Sequence, residues 1–291
     1  MPPINGIKIL GHLKMASHML KLPNSKWEQP SGDHPSKAYG QCISASEQIA
    51  IPKTIPPVFM PTNPNKYHQD SCDEVGQAFK DFHDAMIDAV QFSHNMWKLQ
   101  AKFSGLIVNS VTALGTPGCL GGSDLESNIK NAPMVAAFTG NKAKYRDAVA
   151  KGVSKCFKDW QGQVMVPGLP WYPAFAAFPG PMAPPMPNVP MPLIACVSAM
   201  MSAIVAPMTM ASEMGNALDG GLKQDDPDKQ YEALFDGIAT VLSMAFLMWL
   251  PQQQVMLVMG KGQIPTFAPP FVPVGPVLGG DNIGAPGHLM A

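Results

Sequence analysis

Seven histidines, His12, His18, His34, His68, His83, His94 and His288, are the side chains of this sequence best suited to proton transfer or metal ligation near neutral pH. His83 and His94 fall in one helical pattern but stand eleven residues apart, roughly three turns, so they cannot hold one ion between them. There is no HExxH, and no carboxylate–histidine spacing that implies a metal site. Each histidine therefore reads as a packed or surface residue. Asp81, Asp84 and Asp88 share one helical face, near enough to bind a cation; three carboxylates on an exposed face read as solvated charge. DDPD (225–228) lacks the ordered ligands and terminal Glu of a calcium loop. Cys42, Cys72, Cys119, Cys156 and Cys196 are widely spaced and form no CxxC pair, so buried thiols in a reducing compartment are expected, with an interchain disulfide as the alternative. GTPGCLGG (115–122) has no Lys-Ser/Thr after it and reads as a tight turn, not a phosphate loop. GxSxG, triad and dinucleotide patterns are missing. The expectation is a non-enzymatic protein with no catalytic residue, no cofactor and no metal.

The elements that would position these residues are mostly helical in pattern. Asp73 to Phe103 is uninterrupted by proline, and Val75, Phe79, Phe82, Met86, Val90 and Trp97 recur at three- and four-residue steps. Leu106, Ile107 and Val111 extend that spacing past Gly105, predicting a helix over 73–114. A second helix is predicted over 141–164, with Tyr145, Val149, Val153, Cys156, Phe157 and Trp160 inward and a basic outer side at Lys142, Lys144, Arg146, Lys151, Lys155 and Lys158. That basic side reads as solvated, with ion pairing to an acidic neighbour as the alternative. Apolar segments at 193–218 and 228–259 complete the set, the first kinked or ended by Pro207 and the second capped by Asp228. The fold class expected is mainly α: a helical body of about four long helices with long Pro/Gly-rich extended arms.

The arms are 1–72, 164–192 and 262–291, flanking body segments 73–163 and 193–261. A short helix is expected around Lys14–Leu22 in the first, and IPKTIPPVFMPTNPN (51–65) repeats the style of the second. Ten prolines between 167 and 192 remove backbone donors and fix φ, which excludes a helix or a central strand. Trp171, Tyr172, Phe175, Phe178, Met182 and Met186 sit among them, and Phe267 and Phe271 sit among prolines near the C-terminus. A solvated linker has no use for such side chains. These eight residues are the interface candidates of a stiff, polyproline-like arm lying on its own body or on a neighbouring copy.

Only 14% of residues are charged, against roughly 25% in typical soluble domains. That shortage points to burial against partner subunits or lipid. A net charge of −1 excludes electrostatic nucleic-acid binding as a main activity. The N-terminus shows no signal-peptide pattern.

VPGLPWYPAFAAFPGPMAPPMPNVP together with PTFAPPFVPVGPVLGG resembles, in style, structural proteins of tailed-phage virions and contractile injection particles. The resemblance implies a structural subunit of a large symmetric assembly, located in a virion built in the host cytoplasm. Its partners would be copies of itself and other structural subunits, locked together by extended arms. The alternative is a membrane-inserting or pore-forming protein with a helical hairpin at 193–260, since Leu193–Ala211 and Gly237–Gly260 each approach the ~20 apolar residues that span a bilayer. A third reading is an adaptor whose arms dock into aromatic-lined grooves.

Overall fold

A computed structural model describes residues 4–18, 66–227, 229–265 and 274–289, with the backbone alone for 66–74 and Val274. A 3-10 turn leads into α1 (Lys8–Ser17), and α2 is Lys66–Gln100. Four short strands follow: β1 (Lys102–Phe103), β2 (Ile107–Asn109), β3 (Thr112–Gly115) and β4 (Leu120–Gly121). Then come α3 (Leu125–Lys130), whose first turn Asp124 caps by accepting from the Ser127 N–H, and α4 (Gly140–Gly162). The proline-rich stretch forms β5 (Val164–Pro170), β6 (Phe178–Pro179), β7 (Met182–Pro187) and β8 (Met191–Pro192). Beyond it lie β9 (Val197–Ser198), α5 (Met201–Val205), α6 (Pro207–Ala217), α7 (Gly220–Gln224) and α8 (Gln230–Gln252). The chain ends with β10 (Gln254–Val255), β11 (Met259–Gln263), β12 (Val274–Gly275) and β13 (Asp281–Ile283).

α2, α4 and α8 share an aromatic core. Trp97 meets Phe157 edge-on at 4.7 Å between ring centroids, and Trp160, Phe246 and Trp249 complete the cluster around His94, which lies 4.5 Å from Trp249. Edge-to-face pairs of this kind add packing energy beyond the area they bury. His94 is wholly buried, and that burial drives its pKa well below the usual histidine range.

The expectation of a four-long-helix body with extended arms is overturned. The described residues are 55% helix and 20% strand, a mixed α/β architecture whose strands form small antiparallel sheets. The helix predicted over 141–164 is α4 within two residues, but the other three are shorter or broken. α2 stops at Gln100 because Gly105, at φ +69, turns the chain and the β-branched run Ile107, Val108, Val111, Thr112 pairs as a hairpin. The 193–218 segment divides into a 3-10 turn, β9, α5 and α6, with Pro207 opening α6 rather than bending one long helix. α8 ends at Gln252, after which the chain is extended. The hairpin of two spanning helices at 193–260 is therefore not formed. α8 is long and apolar enough to cross a membrane, yet 72% of its apolar window is buried within the chain.

The central stretch is not an arm. β5 pairs with β3 and β9, β6 with β12, β7 with β11, and β8 with β10, so 164–192 is woven through the body. Proline is accommodated because the strands are short and irregular, and the side chains supply what the ladders lack. Asn188, buried, donates from Nδ2 to the Val255 carbonyl at 3.0 Å and accepts the Val258 N–H at 2.9 Å. The C-terminal tail is fastened the same way. Asn282 accepts from the Leu106 N–H and donates to the Phe103 carbonyl, and buried His288 accepts the Phe103 N–H at 2.8 Å.

Candidate functional site

α1 lies antiparallel to α2, and the pairing is written in side chains one turn apart on each helix. Lys8 meets Asp88 at 2.6 Å and His12 meets Asp84 at 2.8 Å. On its other flank α1 meets α8, where His18 approaches Asp236 at 3.0 Å and Lys14 the same carboxylate at 3.9 Å. Asp84 and Asp88, expected as solvated charge, thus face a cationic helix. Partly exposed pairs of this sort contribute little stability each, and their main effect is to set the register of α1.

Glycine makes the helix crossing possible. A Cβ on Gly11 would lie 2.2 Å from His83 Nε2 and 2.8 Å from Val241 Cγ2; one on Gly237 of α8 would lie 2.7 Å from Met15 Cγ and 3.1 Å from the Gly11 carbonyl oxygen. His83 fills the space these glycines leave and is fully buried. Its Nδ1 lies 2.8 Å from Asp84 Oδ1, the same oxygen that His12 Nε2 approaches, and the two imidazole centroids are 5.1 Å apart.

The electrostatics follow from this arrangement. Burial lowers the pKa of His83, against an opposing pull from Asp84. Partial burial alone would raise that of Asp84, but hydrogen bonds from His83 and His12, and their charge, carry it below the ordinary carboxylate value. Two imidazoles and one carboxylate converging on a point can pass a proton or hold a cation. Elsewhere, burial pushes Cys119 up to about 11 and Cys156 and Cys196 up to about 12, which makes these thiols poor nucleophiles and poor metal ligands.

Spacing along the sequence relates the histidines only singly, or His83 to His94, and does not show this cluster. His12 is brought to Asp84 across 72 positions by the docking of α1. The available signal was the four-residue spacing of Lys8 and His12 against that of Asp84 and Asp88. The basic side of α4 reaches neighbours in part: Lys155 bonds Glu213 of α6 at 2.6 Å, and Lys144 lies 3.6 Å from Asp219.

The interface candidates divide. Trp171 and Phe175 are buried in the chain's own core, with Trp171 Nε1 donating to the Met186 carbonyl at 3.0 Å. Phe178 and Met186 are half-buried against the same core, whereas Tyr172 and Met182 are exposed. Phe267, Phe271, the 51–65 run and the Asp228 cap lie outside the described residues. The chain matches no family model, no curated protein and no solved structure.

Proposed function

We propose that this chain is a non-enzymatic structural subunit of a large symmetric assembly, of the tailed-phage virion kind, and that copies associate through the outer face of the sheet β2-β3-β5-β9. The observation that supports this reading is the composition of that face. Alternation along each strand turns Ala113, Val164, Val166 and Leu169 inward and leaves Ile107, Leu114, Met165, Pro167 and Val197 outward. Ile107 is paired directly with Leu114, and Met165 with Val197. The result is an apolar strip running across four strands with no charged side chain in it. Ile107, Leu114 and Val197 are each about half exposed, at 52%, 50% and 45%. β9 ends the sheet, and no strand pairs beyond it among the described residues, so its backbone is open to strand addition. A low-charge strip beside an open edge is self-complementary, which suits a second copy better than a charged partner. The proline-rich segments keep a supporting part: they weave the body that displays this face.

Light scattering on the purified chain tests the proposal. A defined oligomer or polymer is expected, indifferent to lipid vesicles, and reduced in mass by the double change Ile107→Glu and Leu114→Glu at positions already half in water. A monodisperse wild-type monomer, or partition into vesicles, would overturn it.

A further inference from the structure

We propose that His12, His83 and Asp84 form a binding site for a divalent first-row transition metal ion, zinc by preference, where α1 docks on α2. One donor atom from each of the three residues lies within 4.8 Å of the other two, and His12 Nε2 and His83 Nδ1 are each 2.8 Å from Asp84 Oδ1. Tetrahedral zinc with bonds of about 2.0–2.1 Å sets its ligands about 3.3 Å apart, so each nitrogen–oxygen pair must open by about half an ångström while the two nitrogens settle to the same spacing.

Proton accounting at His83 separates a metal site from a simple hydrogen-bonded triad. If neutral His83 donates from Nδ1 to Asp84, its Nε2 lone pair is left buried, with no aligned hydrogen-bond partner among the described residues. A proton on Nε2, however, turns the Nδ1 lone pair toward a carboxylate oxygen 2.8 Å away, which is repulsive. A doubly protonated ring would put a charge in a fully buried position and still leave Nε2–H without a partner among the described residues. A cation between Nδ1 and Oδ1 resolves the conflict. It takes the lone pair and the carboxylate charge together.

The donor set indicates which ion. Two imidazoles and a carboxylate suit zinc and its neighbours better than magnesium or calcium, which prefer all-oxygen shells. Three protein ligands leave a fourth position for water or a further ligand. His12 and Asp84 side chains are 22% and 34% exposed, so an ion can reach the site from solvent. Bound there, it joins α1 to α2 at the level of the Gly11–Gly237 crossing.

The test uses the full chain without a histidine tag, stripped of metal by a chelator and titrated with zinc or cobalt(II) chloride. Elemental analysis after gel filtration reads stoichiometry, cobalt d–d absorption reads coordination geometry, and the thermal midpoint reads coupling to folding. One retained equivalent of zinc and a tetrahedral cobalt spectrum are expected. His12→Ala and Asp84→Asn, both at partly exposed positions, should each weaken binding at least about tenfold. His18→Ala, on the same helix but paired with Asp236, should bind as wild type. Failure of the wild-type chain to retain zinc, or equal retention by His12→Ala, would overturn the site.

Discussion

Lowering the pH from about 7 to about 5 should destabilise the native chain through His288, by an amount that follows from its burial. The ring is 1% exposed, and its Nδ1 accepts the Phe103 N–H, so the fold holds neutral imidazole with its proton on Nε2. Nε2 itself has no hydrogen-bond partner among the described residues. Burial pushes the pKa from 6.5 down to about 4. As pH falls the unfolded chain therefore takes up the proton first. The stabilisation is complete above about pH 6.5 and is lost toward pH 4. The full shift corresponds to roughly 3 kcal/mol, of which about 2 kcal/mol falls between pH 7 and pH 5. His83 and His94 are also buried with lowered pKa values and act in the same direction, so the wild-type curve does not isolate His288. His288→Asn does, because an amide oxygen can take the Phe103 N–H while nothing titrates. Urea denaturation of both proteins at both pH values measures the difference. Wild type should lose about 2 kcal/mol more than the variant on acidification, and equal losses would refute the account of His288 as a buried neutral anchor.

Gly152 of α4 faces α6 so closely that a Cβ would lie 2.5 Å from the Met214 backbone nitrogen and 2.7 Å from its Cα. Backbone cannot swing aside as a side chain can, so Gly152→Ala should cost about 1–3 kcal/mol by thermal or urea unfolding; an unchanged midpoint would mean that the helices are not so tightly seated. Neighbouring aromatics in the proline-rich stretch should respond oppositely. Trp171→Ala should cost about 3–5 kcal/mol, whereas Tyr172→Ala, at a position 43% exposed, should stay within about 0.5 kcal/mol. Equal costs would mean that this stretch lies off the body.

Legibility tracked how local the controlling interactions are. The pattern Val149, Val153, Cys156, Phe157, Trp160 identified α4 and its buried face, because a helix closes its hydrogen bonds within four residues and its apolar spacing is visible in one window. The strands gave no such window. Most span two to four residues, too few for an alternation to show, and many are defined by a partner far along the chain, as β7 is by β11. The same run, Ile107 to Thr112, could be read as a continuing helix until its pairing with β5 was known. For the candidate site, both histidines and the aspartate were visible as residue types, but not their meeting.

What the sequence alone determined was the inventory: the helix α4, helical spacing over parts of α2 and α8 though not their ends, a proline-rich stretch too apolar to be a linker, and few charges. The tertiary structure decided where that inventory was spent. It turned Trp171 and Phe175 into the chain's own core, because short strands from 102–121 and 254–283 were there to receive the stretch. It also carried His12 to His83 and Asp84, because Gly11 and Gly237 let α1 and α8 close around an imidazole. Contacts that depend on two distant segments meeting leave no period in either one, and only the folded chain shows them.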